Sequence, residues 1–505
     1  MSTAVSTIAA PAARPRGVAR AGIVRNTAYL LIAGQAAKLM NFVQVLLLTR
    51  YLGTADFGIW TLGQSVPAMF FVLTDMGLGS ILLRRICANA ALQSAYAGRV
   101  LVLKIVLTVP FLLSVILFVH WSQYTGAVRA IILLTTVAYL ALSYSDIMFA
   151  VNRAHENFAI ESIVNAINST LVFLSVCACM LLHYRLHGIA FGLLIVNALT
   201  SIGYFFWYLR TYGNFVLRWE GFAPYGRLLL DALPFALLAL ITPLFFQMDI
   251  LLLSRMSSYE SVALYGAPYK IILFLFVLPD ALRTVLFPRF THLHVNDSRS
   301  YRSSFSDVLR ITTLIAVPMG LGLFFCADKI THLLFARDFA ASATCLKIMA
   351  TYMILYFLRN VFGVALYAAN RERTAISIFA GGTVLNGVLA FLLIPRFDFN
   401  GAAFASLVAE GSILVAYAWV VNRALFRVPL TVAYAKIALA GAALVAVCLL
   451  AAKFHVLMII AIAGSAYCGA ALALRILSSA EIGRIKRGLR RILLRPALEK
   501  PESMP

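Results

Sequence analysis

The sequence is short of charge. Only 12% of its 505 residues are Asp, Glu, Lys or Arg, and only 20 of them are acidic. A soluble domain carries about 25% charged and about 45–50% apolar residues. The apolar share here is 62%, with a mean hydropathy of +0.90. That balance excludes a soluble enzyme, a disordered scaffold and a nucleic-acid-binding domain in water. Cysteine is scarce too. The seven present are odd in number and lie mostly in apolar stretches, which gives buried thiols and no disulfide framework. There is no P-loop, no Gly-rich dinucleotide motif and no nucleophile elbow. ATP hydrolysis is therefore not intrinsic to the chain, and no cofactor or metal is expected. His183 and His187 have a conceivable metal spacing, but no third ligand lies nearby. Long polar loops are missing as well, which leaves no room for an extramembrane catalytic domain.

What remains is a series of long apolar runs. Fourteen can be read, near 26–49, 57–80, 99–120, 128–150, 160–182, 188–209, 228–253, 261–286, 306–326, 345–369, 374–395, 401–422, 432–452 and 454–476. Each is about 20 residues or longer, enough to cross a roughly 30 Å hydrocarbon core as a helix. The runs are continuous, not alternating, so a β-barrel is excluded. The expected fold is an all-α polytopic membrane protein with 14 spans, within a range of 12–14.

The net charge of +22 follows the same logic. With the N-terminus inside, Arg14, Arg16, Arg20 and Arg25 fall in the cytoplasm. So do Arg84, Arg85, Arg218, Arg227, Arg299, Arg302, Arg371, Arg373, Arg423, Arg427 and the tail from Arg484 to Arg495. This is the positive-inside pattern. It places both termini in the cytoplasm, with anionic lipids as partners and no nucleic acid. The segment Ile482–Leu494 mixes basic and aliphatic residues, as a surface amphipathic helix does. The first 22 residues lack the apolar region of a cleaved signal peptide.

The sequence also repeats itself. Gln44-Val-Leu-Leu-Leu-Thr-Arg50 falls on Asp249-Ile-Leu-Leu-Leu-Ser-Arg255 at an offset of 205, and Phe71-Val-Leu-Thr-Asp75 falls on Phe276-Val-Leu-Pro-Asp280. Arg84 falls on Arg289. Asn152-Arg153 and Asn168 match Asn370-Arg371 and Asn386 at 218. Gly188-Ile-Ala-Phe191 matches Gly401-Ala-Ala-Phe404 at 213. Spans 1–6 thus repeat as spans 7–12. An even number of spans per repeat makes the two copies parallel. The expectation is two pseudo-symmetric six-helix lobes around a central cavity, working by alternating access. The organisation read from this is a tail at 1–22, lobes at 23–210 and 211–427 (the second including the connection 211–227), two extra spans at 428–477 and a basic tail at 478–505.

Thr49-Arg-Tyr-Leu-Gly-Thr-Ala-Asp-Phe-Gly-Ile-Trp60, Thr74-Asp-Met-Gly-Leu78, Asn152-Arg153 and Gly188-Ile-Ala-Phe191 carry a family likeness. On these residues the chain resembles the polysaccharide flippases of the multidrug/oligosaccharidyl-lipid/polysaccharide exporter superfamily. The resemblance covers spans 1–12. It implies a chain that moves a lipid-linked sugar, usually on undecaprenyl pyrophosphate, between leaflets through a cationic cavity. Some relatives, including lipid II flippases, carry two extra helices that form a groove for the lipid tail.

An ionisable side chain at mid-membrane costs at least about 2.5–3.5 kcal/mol, so it must face protein or water. Lys38, Lys270 and Arg359 lie within spans 1, 8 and 10, and a pyrophosphate wants such cations. They are the expected substrate-binding residues, against the alternative that each pairs with a carboxylate. Arg50 and Asp56, both in the family motif, are read as a gate or turn salt bridge. Asp75 and Asp280 are repeat mates, and Asp280 and Arg283 share a helix face as an expected pair. Asp249 has an uncharged repeat mate, Gln44, so it is a candidate coupling site, with Glu410 a second. Lys104, Asp146, Glu161 and Asp231, near inner span ends, are expected to snorkel. Tyr204, Trp207 and Tyr208 read as an interface belt.

The resulting expectation is a flippase for a polyprenyl-pyrophosphate-linked oligosaccharide in surface-polysaccharide assembly, working with other assembly proteins. The alternatives are an ion-coupled multidrug exporter of the same superfamily, and a membrane polysaccharide polymerase or glycosyltransferase. The short outer loops argue against the last, and so against an enzyme.

Overall fold

The computed structural model describes residues 37–124, 126–216, 221–428 and 432–476. The N-terminal tail, the start of the first span and the basic C-terminal tail with Ile482–Leu494 lie outside these residues. Every described element is helical, as lipid requires: without water, a spanning backbone must satisfy its own N–H and C=O groups.

Helix α1 covers 37–51 of the described chain. It is followed by α2 (Gly53–Ala88), α3 (Gln93–Trp121), α4 (Gly126–Ala154), α5 (Phe158–Leu181) and α6 (Leu186–Tyr212). Then come α7 (Phe222–Met256), α8 (Tyr259–Asn296), α9 (Ser298–Leu334) and α10 (Ser342–Ala368). The next helical stretch, Glu372–Ala424, is 53 residues long, too long for one crossing. It turns at Asp398, whose φ of 50° and ψ of −136° are not helical. This makes two spans, α11 (372–397) and α12 (399–424). Helices α13 (Val432–Leu450) and α14 (Val456–Ala473) complete the chain. Among the described residues twelve helices are long and apolar enough to cross a membrane. Counting α1 and dividing the longest at Asp398 gives fourteen, the number read from the sequence. The chain is a multi-pass membrane protein.

The helices interrupt where the repeat aligns. α2 breaks after Phe70 and α8 after Leu275, at the matched residues Phe71 and Phe276. In α8 the cause is Pro279, which has no N–H to give the Leu275 carbonyl. In α2 the chain continues through left-handed Met76 (φ 42°) and Gly77 (φ 79°). One stretch of the alignment needs correction. The α4–α5 and α10–α11 turns are matching six-residue closures, Asn157 N–H to Asn152 C=O and Arg371 N–H to Leu366 C=O, each 2.9 Å. Their left-handed residues are Glu156 and Asn370, an offset of 214. Asn152 and Asn370 are therefore one helical turn out of register.

The chain forms two compact units, Met1–Val45 with Gly63–Pro243 and Leu46–Leu62 with Leu244–Pro505. In the first, Leu78, Ile81 and Leu82 of α2 pack with Val100, Leu103 and Leu107 of α3, Ile147 of α4 and Tyr204 and Tyr208 of α6. In the second, α10 is the central helix, with 61% of its apolar window covered. Apolar side chains gain little by leaving lipid for protein, so close approach holds such helices. At Gly320 of α9, an added Cβ would lie 2.3 Å from Ile354, and at Gly382 of α11 the same distance from Ile413. Helices α13 and α14 join α9 through Tyr467 Oη to the Leu314 carbonyl (2.9 Å) and Lys329 Nζ to the Phe454 carbonyl (2.5 Å). Outside the spans, Asp297 caps α9. The Ser300 hydroxyl (2.5 Å) and the Ser300 and Arg299 N–H groups (3.0 and 3.1 Å) hold its carboxyl below the ordinary range.

Candidate functional site

Arg359 sits on α10, the most covered span, between Leu358 and Asn360. Its Nε donates to Glu410 Oε1 of α12. The Arg359 side chain is 13% exposed and that of Glu410 is fully buried. The guanidinium also lies over two rings, Tyr356 at 4.8 Å and Phe379 of α11 at 5.4 Å. Tyr356 in turn stacks on Phe276, at the α8 break, with centroids 3.7 Å apart. Oε2 of Glu410 is buried and has no hydrogen-bond partner among the described residues. The sequence separates Arg359 as a substrate cation from Glu410 as a coupling acid; the structure joins them.

Asp249 of α7 is buried and accepts three hydrogen bonds. The donors are Tyr265 Oη of α8 (2.8 Å), Asn386 Nδ2 of α11 (3.0 Å) and Ser406 Oγ of α12 (2.5 Å). All three are neutral, so the carboxylate is stabilised by dipoles alone. A cavity of about 10 Å³ adjoins it, lined in part by Phe245, Tyr269, Met349 and Tyr352. That is room for one water-sized occupant.

In the first unit the structure reverses an expectation. Lys104 does not snorkel. It is fully buried, with Nζ 3.6 Å from both Asp75 Oδ1 of α2 and Asp146 Oδ2 of α4. The side chain cannot reach an interface because α3 places it inward, beside Leu103 and Leu107. Arg153 pairs with Glu161 (2.5 Å) and Arg85 with Asp231 (2.6 Å), both more exposed. Tyr204 and Tyr208 are likewise core residues, not a belt: Asn152 donates to Tyr204 Oη, and Trp207 stacks on Tyr204 at 5.6 Å.

The other expected residues lie apart. Lys38 is exposed on α1, Lys270 half-buried on α8 and Arg283 exposed on α8. Asp280 is half-buried, and both it and Arg283 are within electrostatic reach of Tyr356. Arg50 donates to the Leu333 and Leu334 carbonyls, closing the C-terminus of α9. Asp56 lies in the first turn of α2, where a carboxylate favours the helix dipole. Among the described residues no cluster of three or more His, Cys, Asp or Glu could hold a metal.

A family model described as polysaccharide biosynthesis protein matches residues 23–294, more than half of the chain. The chain belongs to this family. A relative in Haloferax volcanii, named as a probable low-salt glycan biosynthesis flippase (Agl15), is 22% identical over 392 residues, covering 76% of this chain and 80% of its own. The fold is that of the lipid II flippase MurJ in an inward closed conformation, at a TM-score of 0.73 and 14% identity over 88% of this chain and 98% of that one. An inward-facing multidrug resistance transporter described as a member of the MOP superfamily matches at a TM-score of 0.62 and 13% identity, over 77% of this chain and 94% of that one.

Within the family match, the motif residues turn out to be joinery. Phe57 is fully buried and meets Phe339 edge-on at 5.7 Å. Gly58 packs against the Tyr259 backbone so closely that an added Cβ would sit 1.8 Å from its carbonyl oxygen. The polar residues of the Asp249 site beyond α8, and the Arg359–Glu410 pair, lie outside the matched stretch. The halves also differ there: at the offset of 213, Glu410 falls on Asn197, which is neutral and bonds the Ala138 carbonyl.

Proposed function

We propose that this protein translocates a polyprenyl-pyrophosphate-linked oligosaccharide from the cytoplasmic to the outer leaflet of a bacterial inner membrane, for surface-polysaccharide assembly. Both termini are cytoplasmic, anionic lipids hold the basic connections, and other assembly proteins supply and receive the substrate. The observation that carries this reading is Arg359. A guanidinium is kept inside the most covered span, flanked by aromatic rings, with part of its surface still open. A diphosphate is the ligand that such a group suits, by bidentate charge-assisted bonds. Lys38 and Lys270 contribute further positive charge. A drug exporter selecting cations needs an acid open to its substrate; Glu410 is closed and neutralised by Arg359, which favours the flippase. Asp249 is the coupling carboxylate. It takes a proton or one small monovalent cation, which the adjoining cavity has room for.

The test is made in cells lacking the protein, with lipid-linked sugar labelled from outside by an impermeant probe. Restoring the wild-type chain returns outer-leaflet label, whereas Arg359→Gln does not. Unchanged labelling in the deletion strain, with new sensitivity to cationic drugs, replaces this reading by the exporter.

A further inference from the structure

The Arg359–Glu410 pair has an asymmetry that its role as a simple ion pair leaves unused. The acid is fully buried while the base is partly open, and one oxygen of the acid, Oε2, has no partner among the described residues. Glu410 meets Arg359 through Nε alone, so an anion that takes the Nε edge of the guanidinium, as a bidentate phosphate can, displaces Glu410. A buried carboxylate that loses its counter-ion is costly, and such a group neutralises itself.

We propose that binding of a diphosphate to Arg359 is coupled to protonation of Glu410. This rests on the reading that the substrate headgroup is a diphosphate. Arg359 Nε moves its hydrogen bond from Glu410 Oε1 to a phosphate oxygen, and one proton released by a buffer acid in the solvent forms an O–H bond on the carboxylate. No bond to carbon or phosphorus is made or broken, and the proton offsets one unit of the diphosphate's negative charge, in place of the Glu410 charge that Arg359 had balanced. Release of the diphosphate returns Arg359 to Glu410 and discharges the proton on whichever side the site then faces. Headgroup and proton therefore enter and leave together. The titratable groups that face Glu410 are Arg359, Tyr352 and Tyr356 from α10, Tyr269 from α8 and Tyr417 from its own helix. Tyrosine ionises near pH 10 and arginine above 12, so near neutrality Glu410 is the member that can exchange a proton.

The experiment is calorimetry on the purified full chain in detergent, titrated with farnesyl diphosphate in two buffers of different ionisation enthalpy. The probe's own protonation cancels when wild type and Glu410→Gln are compared. Wild type is expected to take up on the order of one proton more per diphosphate than Glu410→Gln, which still binds. Its affinity is then expected to fall by up to about tenfold more per unit rise in pH than that of the variant. Binding without this difference overturns the coupling and leaves the flippase reading intact. An equal uptake in both, moved instead by Asp249→Asn, assigns the proton to the other carboxylate and also overturns it. Absence of any binding by wild type overturns the diphosphate reading and the coupling with it. The two-buffer comparison on wild type alone bounds the uptake should Glu410→Gln fail to fold.

Discussion

Lys104 Nζ lies 3.6 Å from Asp75 Oδ1 with its side chain wholly out of solvent, while the carboxylate keeps 27% of its surface open. The cation is inside and its counter-ions, Asp75 and Asp146, form the rim. Asp75 also ends the short helix Val72–Asp75, immediately before the left-handed pair Met76 and Gly77. The ion pair thus fastens α3 to the weakest point of α2, where the helical hydrogen-bond ladder is broken. A hinge in the first unit is held by charge, where the second unit has Pro279 at the corresponding break.

The arrangement sets an order of sensitivity. Neutralising both acids, Asp75→Asn with Asp146→Asn, leaves Lys104 buried without a counter-charge and should destabilise by about 3 kcal/mol. Lys104→Met removes the buried charge and leaves two part-exposed acids, which water can serve, so its effect should be smaller. Adding Lys104→Met to the double variant should recover most of the loss. Thermal unfolding of the three proteins in one detergent decides it. If the triple variant melts no higher than the double, the ion cluster is not what holds this hinge.

Much of this architecture was legible in the sequence because lipid leaves few choices. Fourteen apolar runs can only be fourteen helices, whereas the match of Phe71 to Phe276 carried the repeat but no signal that both helices break there. Polar positions were harder. Lys104 was misread because a lysine near a span end looks the same whether it reaches outward or inward; the difference lies in which helix face α3 presents, and that is fixed by packing with α2 and α4. Arg359 and Glu410, 51 positions apart, carried no local signal of pairing. Asn386 was visible only as a supposed repeat mate of Asn168, in a stretch where the register slips by one turn. Tyr265 and Ser406 had no signal at all, being ordinary residues in apolar helices.

Asp249 has three neutral donors, which makes its occupancy adjustable. Asp249→Asn keeps the size and most of the bonding, so the protein should fold, but it can no longer bind or release a proton or cation. Flipping in proteoliposomes should then lose the part of its response to an imposed sodium or proton gradient that Asp249 carries, with the proton response of Glu410 remaining. Ser406→Ala and Asn386→Ala each remove one donor from the charged form and should shift the gradient dependence by roughly ten- to a hundredfold, since such a bond is worth about 1.5–3 kcal/mol. A gradient response unchanged from wild type in Asp249→Asn moves the coupling elsewhere.

Gly58 gives a sharper test of why the motif around Arg50 exists. An alanine Cβ there would need the Tyr259 carbonyl oxygen to retreat from 1.8 Å, and that atom is backbone at the start of α8. Neither helix can yield by changing a rotamer, so α2 and α8 must separate. Overpacking of this kind costs about 1–3 kcal/mol or more. Gly53 is the control: its φ of +74° strains any side chain, but nothing lies within 4 Å of its would-be Cβ. Its replacement by alanine should cost about 1 kcal/mol, through conformation alone. Gly58→Ala should therefore melt below Gly53→Ala and lose flipping in proportion, because the contact joins two helices that both carry a mid-span break. Equal melting of the two variants means that close approach is not what the motif glycine supplies, and the role of Thr49–Trp60 would then rest on Arg50 and its hold on the end of α9.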